Sequence, residues 1–115
     1  MRNGKILIYI AGPYSNDDPV VNTRAAMEMW ARLWARGFYP ICPHWTMFQH
    51  FLTPLPYEAW LDYDRVMLSL CDGLIRIPGH SAGADGEVAQ ATHEGIPVFF
   101  NVDALFEFFK NVVPA

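Results

Sequence analysis

The sequence predicts a doubly wound α/β fold, a three-layer α/β/α arrangement around a parallel sheet of about four to five strands. Three observations carry this. Strand-like and helix-like segments alternate along the chain, the pattern of parallel strands joined by helical crossovers. The first strand, Lys5 to Ala11, is a continuous apolar run, as in a strand covered on both faces. The loops Gly12–Asp18, Pro43–Pro56 and Gly79–Gly86 all follow strands, so all three rim one crevice beyond the carboxyl ends of the sheet.

Each element has its own signals. After the first strand, Gly12-Pro13-Tyr14-Ser15-Asn16-Asp17-Asp18-Pro19 reads as a loop throughout. Asp18 is a helix N-cap with Pro19 at the first helical position. That helix runs to about Arg36, carries Ala26, Met29, Trp30 and Leu33 on one stripe, and is closed by Gly37. A second strand, Phe38 to Cys42, leads into Pro43-His44-Trp45 and an irregular aromatic stretch ending near Pro56. A helix from Tyr57 to Leu70, a strand from Gly73 to Ile77, a small-residue turn and a helix from Val88 to Glu94 follow. Gly95 stops that helix, Ile96 to Phe100 forms the fourth strand, and a last helix runs from Asp103 to about Val112.

With 115 residues the chain is expected to be one domain, 1–115, built on a single core. Apolar residues make up 52% and aromatics 15%, which excludes intrinsic disorder. Some of Trp30, Trp34, Trp45, Phe48, Phe106 and Phe109 are expected at a pocket or subunit contact. The net charge of −4 without a basic stripe argues against a nucleic-acid polymer as partner and leaves a free nucleotide open. No signal-peptide pattern precedes Lys5, and Ile6–Ala11 is too short to span a bilayer, so a cytoplasmic protein away from membranes is expected. Cys42 and Cys71 lack metal-ligand spacing and read as reduced core thiols; no metal or cofactor is expected.

The segment Gly79-His80-Ser81-Ala82-Gly83-Ala84-Asp85-Gly86-Glu87 says most about chemistry. A small-residue turn from a strand end into a helix presents backbone N–H groups to an anion such as phosphate. A carboxylate there, Glu87, repels that anion and makes sense if it acts on a sugar beside the phosphate. At 100° per residue, Tyr57, Trp60, Leu61, Met67, Leu68 and Cys71 share one helical face, with Asp64 in its middle and Asp62 opposite. A carboxylate on a core-facing stripe is costly unless it is paired, bonded or functional. Asp64 either caps a neighbouring loop or works in a site. Glu87 falls beside Ala84, Val88 and Ala91, the packing side of its helix. Two inward carboxylates on adjacent elements form the pair that glycosidic-bond chemistry uses, one supporting an oxocarbenium-like centre and one serving the leaving group. Asp72 reads as a helix-to-strand turn residue. His44 should face the crevice or pack in its loop. Ser81 donates to a ligand or shapes the turn, and Tyr14 and Trp45 stack on a base or cover apolar surface.

Together, Tyr9-Ile-Ala-Gly-Pro-Tyr14, the Asp64…Cys71-Asp72 spacing and Ser81-x-Gly-Ala-x-x-Glu87 with Ala89 and Ala91 resemble the nucleoside 2-deoxyribosyltransferase superfamily. That superfamily includes the 2'-deoxynucleoside 5'-monophosphate N-glycosidases and the cytidylate hydrolases. The resemblance runs from Ile6 to about Phe100. It implies a flavodoxin-like fold and a Glu nucleophile at Glu87, with Asp64 handling the leaving base. It also implies that the Gly12 loop, Ser81 and Gly83 hold the sugar or its 5'-phosphate, that His44 matches a histidine of the monophosphate enzymes, and that the protein is a homo-oligomer. A looser likeness, Pro78-Gly79-x-Ser-x-Gly83-x-x-x-Glu87, is to nucleotide phosphoribohydrolases of the lysine-decarboxylase-like family, which also cleave a base from a ribotide. The function expected is cleavage or transfer at the N-glycosidic bond of a nucleoside or nucleoside 5'-monophosphate, with hydrolysis favoured by Ser81 and His44. Base exchange, and a non-catalytic nucleotide-binding module whose Glu87 grips ribose hydroxyls, are the alternatives.

Overall fold

The computed structural model describes residues 2–112, so the two ends of the expected 1–115 domain lie outside the described residues. Its elements are β1 (Leu7–Ala11), α1 (Pro19–Ala35), β2 (Tyr39–Ile41), one turn of 3-10 helix (Pro43–Trp45), α2 (Thr46–Leu52), α3 (Tyr57–Ser69), β3 (Gly73–Arg76), α4 (Ala82–His93), β4 (Val98–Phe99) and α5 (Val102–Phe108). The sheet has four strands, all parallel, in the order β2-β1-β3-β4. The chain therefore leaves β1 toward one edge and returns to its other side with β3. This is the topological switch point at which doubly wound sheets open a crevice. No helix among the described residues is long and apolar enough to cross a membrane.

The strand period of two sorts β1 onto two cores. Ile6, Ile8 and Ile10 pack with Ala26 and Leu33 of α1 and with Val102 and Leu105 of α5. Tyr9 and Ala11 pack on the other side with Leu68 of α3 and with Ala84 and Ala91 of α4. Both faces of β1 are thus covered, which is why its sequence is a continuous apolar run. Cys42 and Cys71 are free and buried, and burial pushes their thiols up to about 11 and about 12. Asp72 does turn chemistry, its carboxylate accepting from the Leu7 backbone N–H at 2.9 Å.

Local capping fixes α1. The Asp18 carboxylate accepts from the N–H groups of Val20 and Val21 at 2.9 and 3.4 Å, Pro19 opens the helix, and Gly37 takes a φ of +88° just past its end.

Three expectations are corrected. The stretch before Pro56, expected to be irregular, holds the 3-10 turn and α2. Thr46 donates its hydroxyl to the Pro43 carbonyl at 2.8 Å, so one turn hands over to the next. This helix buries none of its side chains, and Phe51 is 81% exposed, so no inward stripe marks it in the sequence. Second, α4 starts at Ala82 rather than Val88. Ser81 is its N-cap, accepting from the Ala84 N–H at 3.0 Å, and Gly83 and Gly86 lie inside the helix. Third, Tyr57, placed by the helical wheel on the inner face of α3, is 65% exposed.

The loops after β1, β2 and β3 meet, as expected of a shared rim. Asn16 donates its amide to the His80 carbonyl at 2.6 Å, and a Cβ on Gly79 would lie 2.6 Å from Pro13 Cγ. Gly79 also adopts a φ of +124°. Gly79→Ala should therefore lower stability by roughly 1–3 kcal/mol, from backbone strain and the Pro13 clash together. Gly86, helical and with nothing within 4 Å of its Cβ position, should behave oppositely. Gly86→Ala should stabilise by about 0.5–1 kcal/mol. Urea denaturation of the two variants checks both signs.

Candidate functional site

Tyr9 stands in the middle of β1, fully buried, and reaches toward the α3/α4 layer. A phenol so placed needs a partner for its hydroxyl. It donates to Oε2 of Glu87, in the second turn of α4. Asp64, in α3, faces the same cluster from a half-buried position, whereas Asp62 on the opposite side of α3 is exposed. Gln90 of α4 donates to the Arg65 carbonyl at 2.9 Å and to Ser69 Oγ at 3.1 Å, clasping the two helices beside the carboxylates.

Electrostatics make this cluster unlike the rest of the surface. Burial pushes the Glu87 carboxyl up to about 7; Asp64 adds to the rise, and the Tyr9 hydrogen bond and Arg76 oppose it. Burial alone pushes Asp64 up to about 6. Burial and the two carboxylates push the Tyr9 phenol far above its ordinary value, so Tyr9 remains a hydrogen-bond donor. Perturbed groups gathered beside cavities mark a candidate site.

Two cavities flank the cluster. One, of about 560 Å³, lies between α3 and α4 and is lined by Leu61, Arg65, Gly83, Gly86, Glu87 and Gln90, among others. The second, of about 550 Å³, lies over the end of β2 under α2 and α3, with Tyr9, Trp45, Gln49, Trp60, Tyr63 and Asp64 in its wall. The Tyr9–Glu87 hydrogen bond thus links the wall of one cavity to the wall of the other. Four aromatic side chains, Tyr9, Trp45, Trp60 and Tyr63, stand in the wall of the second, which suits a flat heteroaromatic ring.

Most of the remaining candidates lie elsewhere. Gly83 lines the first cavity, but Gly12, Tyr14, His44 and Ser81 line neither. At Gly12 a Cβ would come within 3.0 Å of the Ile77 Cβ, so glycine there serves close packing. Tyr14 donates its hydroxyl to Met47 Sδ at 3.3 Å and sets its ring edge-on to His44. His44 is only 6% exposed and, rather than facing the crevice, donates from Nε2 to the Pro13 carbonyl at 2.8 Å. Burial pushes its pKa down, and its Nδ1 has no partner among the described residues. Ser81 caps α4. Among the described residues no cluster of His, Cys, Asp or Glu is arranged to hold a metal ion.

Two members of the cluster escape the reading of the sequence. Tyr9 reads there as part of an apolar strand, although a hydroxyl between Ile8 and Ile10 signals a buried acceptor nearby. Arg76, a lone charge among Leu74, Ile75 and Ile77, is the other, and its side chain is 10% exposed.

The raised carboxyls make stability depend on pH. Folded Glu87 and Asp64 hold protons that the unfolded chain releases above its ordinary values of 4.5 and 3.8. More protons bound in the folded state means stability falls as pH rises. Their contribution is complete below those ordinary values and is lost as pH passes through about 6 and about 7. Glu87→Gln should therefore gain on the wild type as pH rises from about 5 to about 8, by several degrees of melting temperature. A wild-type-to-variant difference that stays constant with pH would contradict the buried-charge account.

The same architecture occurs in proteins of known structure. The chain shares its fold with a 2-desoxiribosyltransferase from Leishmania mexicana, at a TM-score of 0.60 and 19% identity, over 81% of this chain and 61% of that one. It is similarly placed on a 2-deoxyribosyltransferase from the psychrotolerant bacterium Bacillus psychrosaccharolyticus, at a TM-score of 0.57 and 19% identity, over 80% and 69% of the two chains. The chain thus spans about three fifths of the Leishmania protein and about two thirds of the Bacillus one. No curated protein matches the sequence. Residues 6–101 match the sequence family described as a domain of unknown function (DUF7768). Because that match runs from the residue before β1 to the N-cap of α5, the chain belongs to the DUF7768 family.

Proposed function

We propose that the protein breaks the N-glycosidic bond of a (deoxy)nucleoside or (deoxy)nucleoside 5'-monophosphate through a glycosyl ester on Glu87, and passes the glycosyl group to water or to a second base. One observation carries this: two half-buried carboxyls on adjacent helices, both pushed above the ordinary range, lie near one buried tyrosine whose hydroxyl donates to Glu87. The fold shared with two proteins named as deoxyribosyltransferases supports it.

Ionised Glu87 attacks the anomeric carbon, and the C–N bond breaks with its electron pair going to the base. Protonated Asp64 gives its proton to that base. Water or a second base then attacks the anomeric carbon, Asp64 takes the proton released, and Glu87 leaves as carboxylate. Tyr9 holds Oε2 throughout, leaving Oε1 as the attacking atom. The aromatic second cavity beside Asp64 is suited to the base. Ser81 and His44 line neither cavity, Ser81 capping α4 and His44 bonded to the Pro13 carbonyl, so neither chooses between nucleoside and monophosphate. The neighbours' names favour transfer, so both acceptors stay in the proposal.

Incubation with a panel of nucleosides and 5'-monophosphates, with and without a second base, tests it by the appearance of free base or of a new nucleoside. Tight binding with no base released would leave a nucleotide-binding module. Glu87→Gln and Glu87→Ala should lose at least about a thousandfold in turnover while remaining folded, as expected when a covalent nucleophile is removed. Near-wild-type turnover in either would sink the mechanism.

The pH profile is a separate check. Activity needs Glu87 ionised and Asp64 protonated, so it should rise as Glu87 loses its proton and fall as Asp64 loses its own. With Glu87 at about 7 and Asp64 at about 6, kcat/KM should be a narrow bell centred between these values. A profile flat from about pH 5 to about pH 8 would remove both carboxyls from the chemistry.

A further inference from the structure

We infer that Arg76 is a positioning residue for Glu87: its guanidinium, fixed in place by the turn after β3, supplies the positive field that lets Glu87 carry its charge beside Asp64. Its effect on rate follows from the reaction proposed above; its effect on Glu87 itself does not depend on that reaction.

The strand register places it. Leu74 pairs with Tyr9 and Arg76 with Ala11, and Leu74, Tyr9 and Ala11 all pack on the α3/α4 side. Two residues beyond Leu74, Arg76 emerges on that same face, diagonal to the tyrosine that holds Glu87. The end of the side chain is anchored three ways. It donates to the Ile77 carbonyl, to the Gly79 carbonyl at 2.8 Å and to Asp85 Oδ1 at 3.0 Å. Two of these acceptors belong to the turn into α4 and the third to the first turn of α4 itself. The cation therefore moves only if the start of that helix moves.

The charge balance explains why a cation is needed. Glu87 is approached by Tyr9 from β1, Asp64 and Arg65 from α3, and Arg76 from β3, with Asp85 on its own helix and Glu94 just past the end of it. Asp64 and Tyr9 both lose if Glu87 ionises close by, apart from the hydrogen bond that Tyr9 gives. Arg65 and Asp85 are exposed, where water screens them. Arg76 is nine-tenths buried, so its field reaches Glu87 with the least screening. Consistently, Arg76 draws the Glu87 carboxyl downward against burial and Asp64.

The test follows the titration of the Glu87 side-chain carboxyl by carbon NMR in the wild type, Arg76→Gln and Arg76→Lys, alongside kcat/KM against pH. In Arg76→Gln the Glu87 titration should move to higher pH. Its kcat/KM deficit against wild type should be at least about threefold larger on the acid side of the profile than on the alkaline side. Arg76→Lys keeps the charge and gives up the fork of hydrogen bonds, so its Glu87 should titrate close to wild type. A merely structural arginine predicts the reverse: both variants impaired alike, with Glu87 titrating where it did. That result, or a Lys variant whose Glu87 titrates like that of Gln, overturns the inference. Should Arg76→Gln not fold, the Lys variant and Asp85→Asn decide. Asp85→Asn frees Arg76 from its counter-charge and should move the Glu87 titration to lower pH, and an unmoved or raised titration overturns the inference. Because the titration needs no substrate, a wild type that releases no base counts against the proposed reaction and leaves the Arg76 assignment to be judged on the NMR.

Discussion

The hydroxyl of Tyr9 sits in the middle of a strand covered on both faces, and it has to be given an acceptor there. Glu87 supplies one, and this single hydrogen bond governs how α4 lies on the sheet. To bring a short carboxylate side chain down to the strand, the helix must come close. The run Ala82-Gly83-Ala84, with Gly86 and Ala91, permits that approach, and Ala84 and Ala91 are buried against β1 and β3. The same bond accounts for the electrostatics. A carboxyl drawn into the interior by a neutral donor gains less than it would from an ion pair, so burial still pushes Glu87 up to about 7.

The switch point of the sheet is closed by mutual contacts between its loops. Pro13 is the hub: it packs on Gly79, and its carbonyl accepts the hydrogen bond from His44 Nε2. Asn16 adds the tie to the His80 carbonyl, and Asn22 of α1 donates to the carbonyls of Tyr14 and Asn16 at 3.0 and 2.6 Å. These ties engage loop carbonyls rather than loop N–H groups. The openings are displaced to either side of Tyr9, under α2 and between α3 and α4.

Features decided by neighbours in the chain were legible in the sequence. Asp18, Pro19 and Gly37 bound α1 because capping is a local hydrogen-bonding problem. Helical phase alone separates Asp64 from Asp62, since both ride one rigid helix. Features decided by packing were not. The helix α2 buries nothing, so it leaves no stripe to read. The start of α4 looks like a loop because Gly83 and Gly86 weaken a helix locally, and only its seat on β1 and β3 offsets that cost.

The order of residues is enough for the α/β class, for the alternation of parallel strand and helix, and for the inward placement of Glu87 and Asp64. These follow from periods of two and 3.6 residues and from capping, which act over a few positions. Other features exist only once the chain is folded. Tyr9 becomes the donor to Glu87, Arg76 comes to stand diagonal to it, and His44 is sealed against Pro13. A strand's period tells which face a side chain leaves from, but its partner there is set by strand register and by which helix the crossover lays on that face.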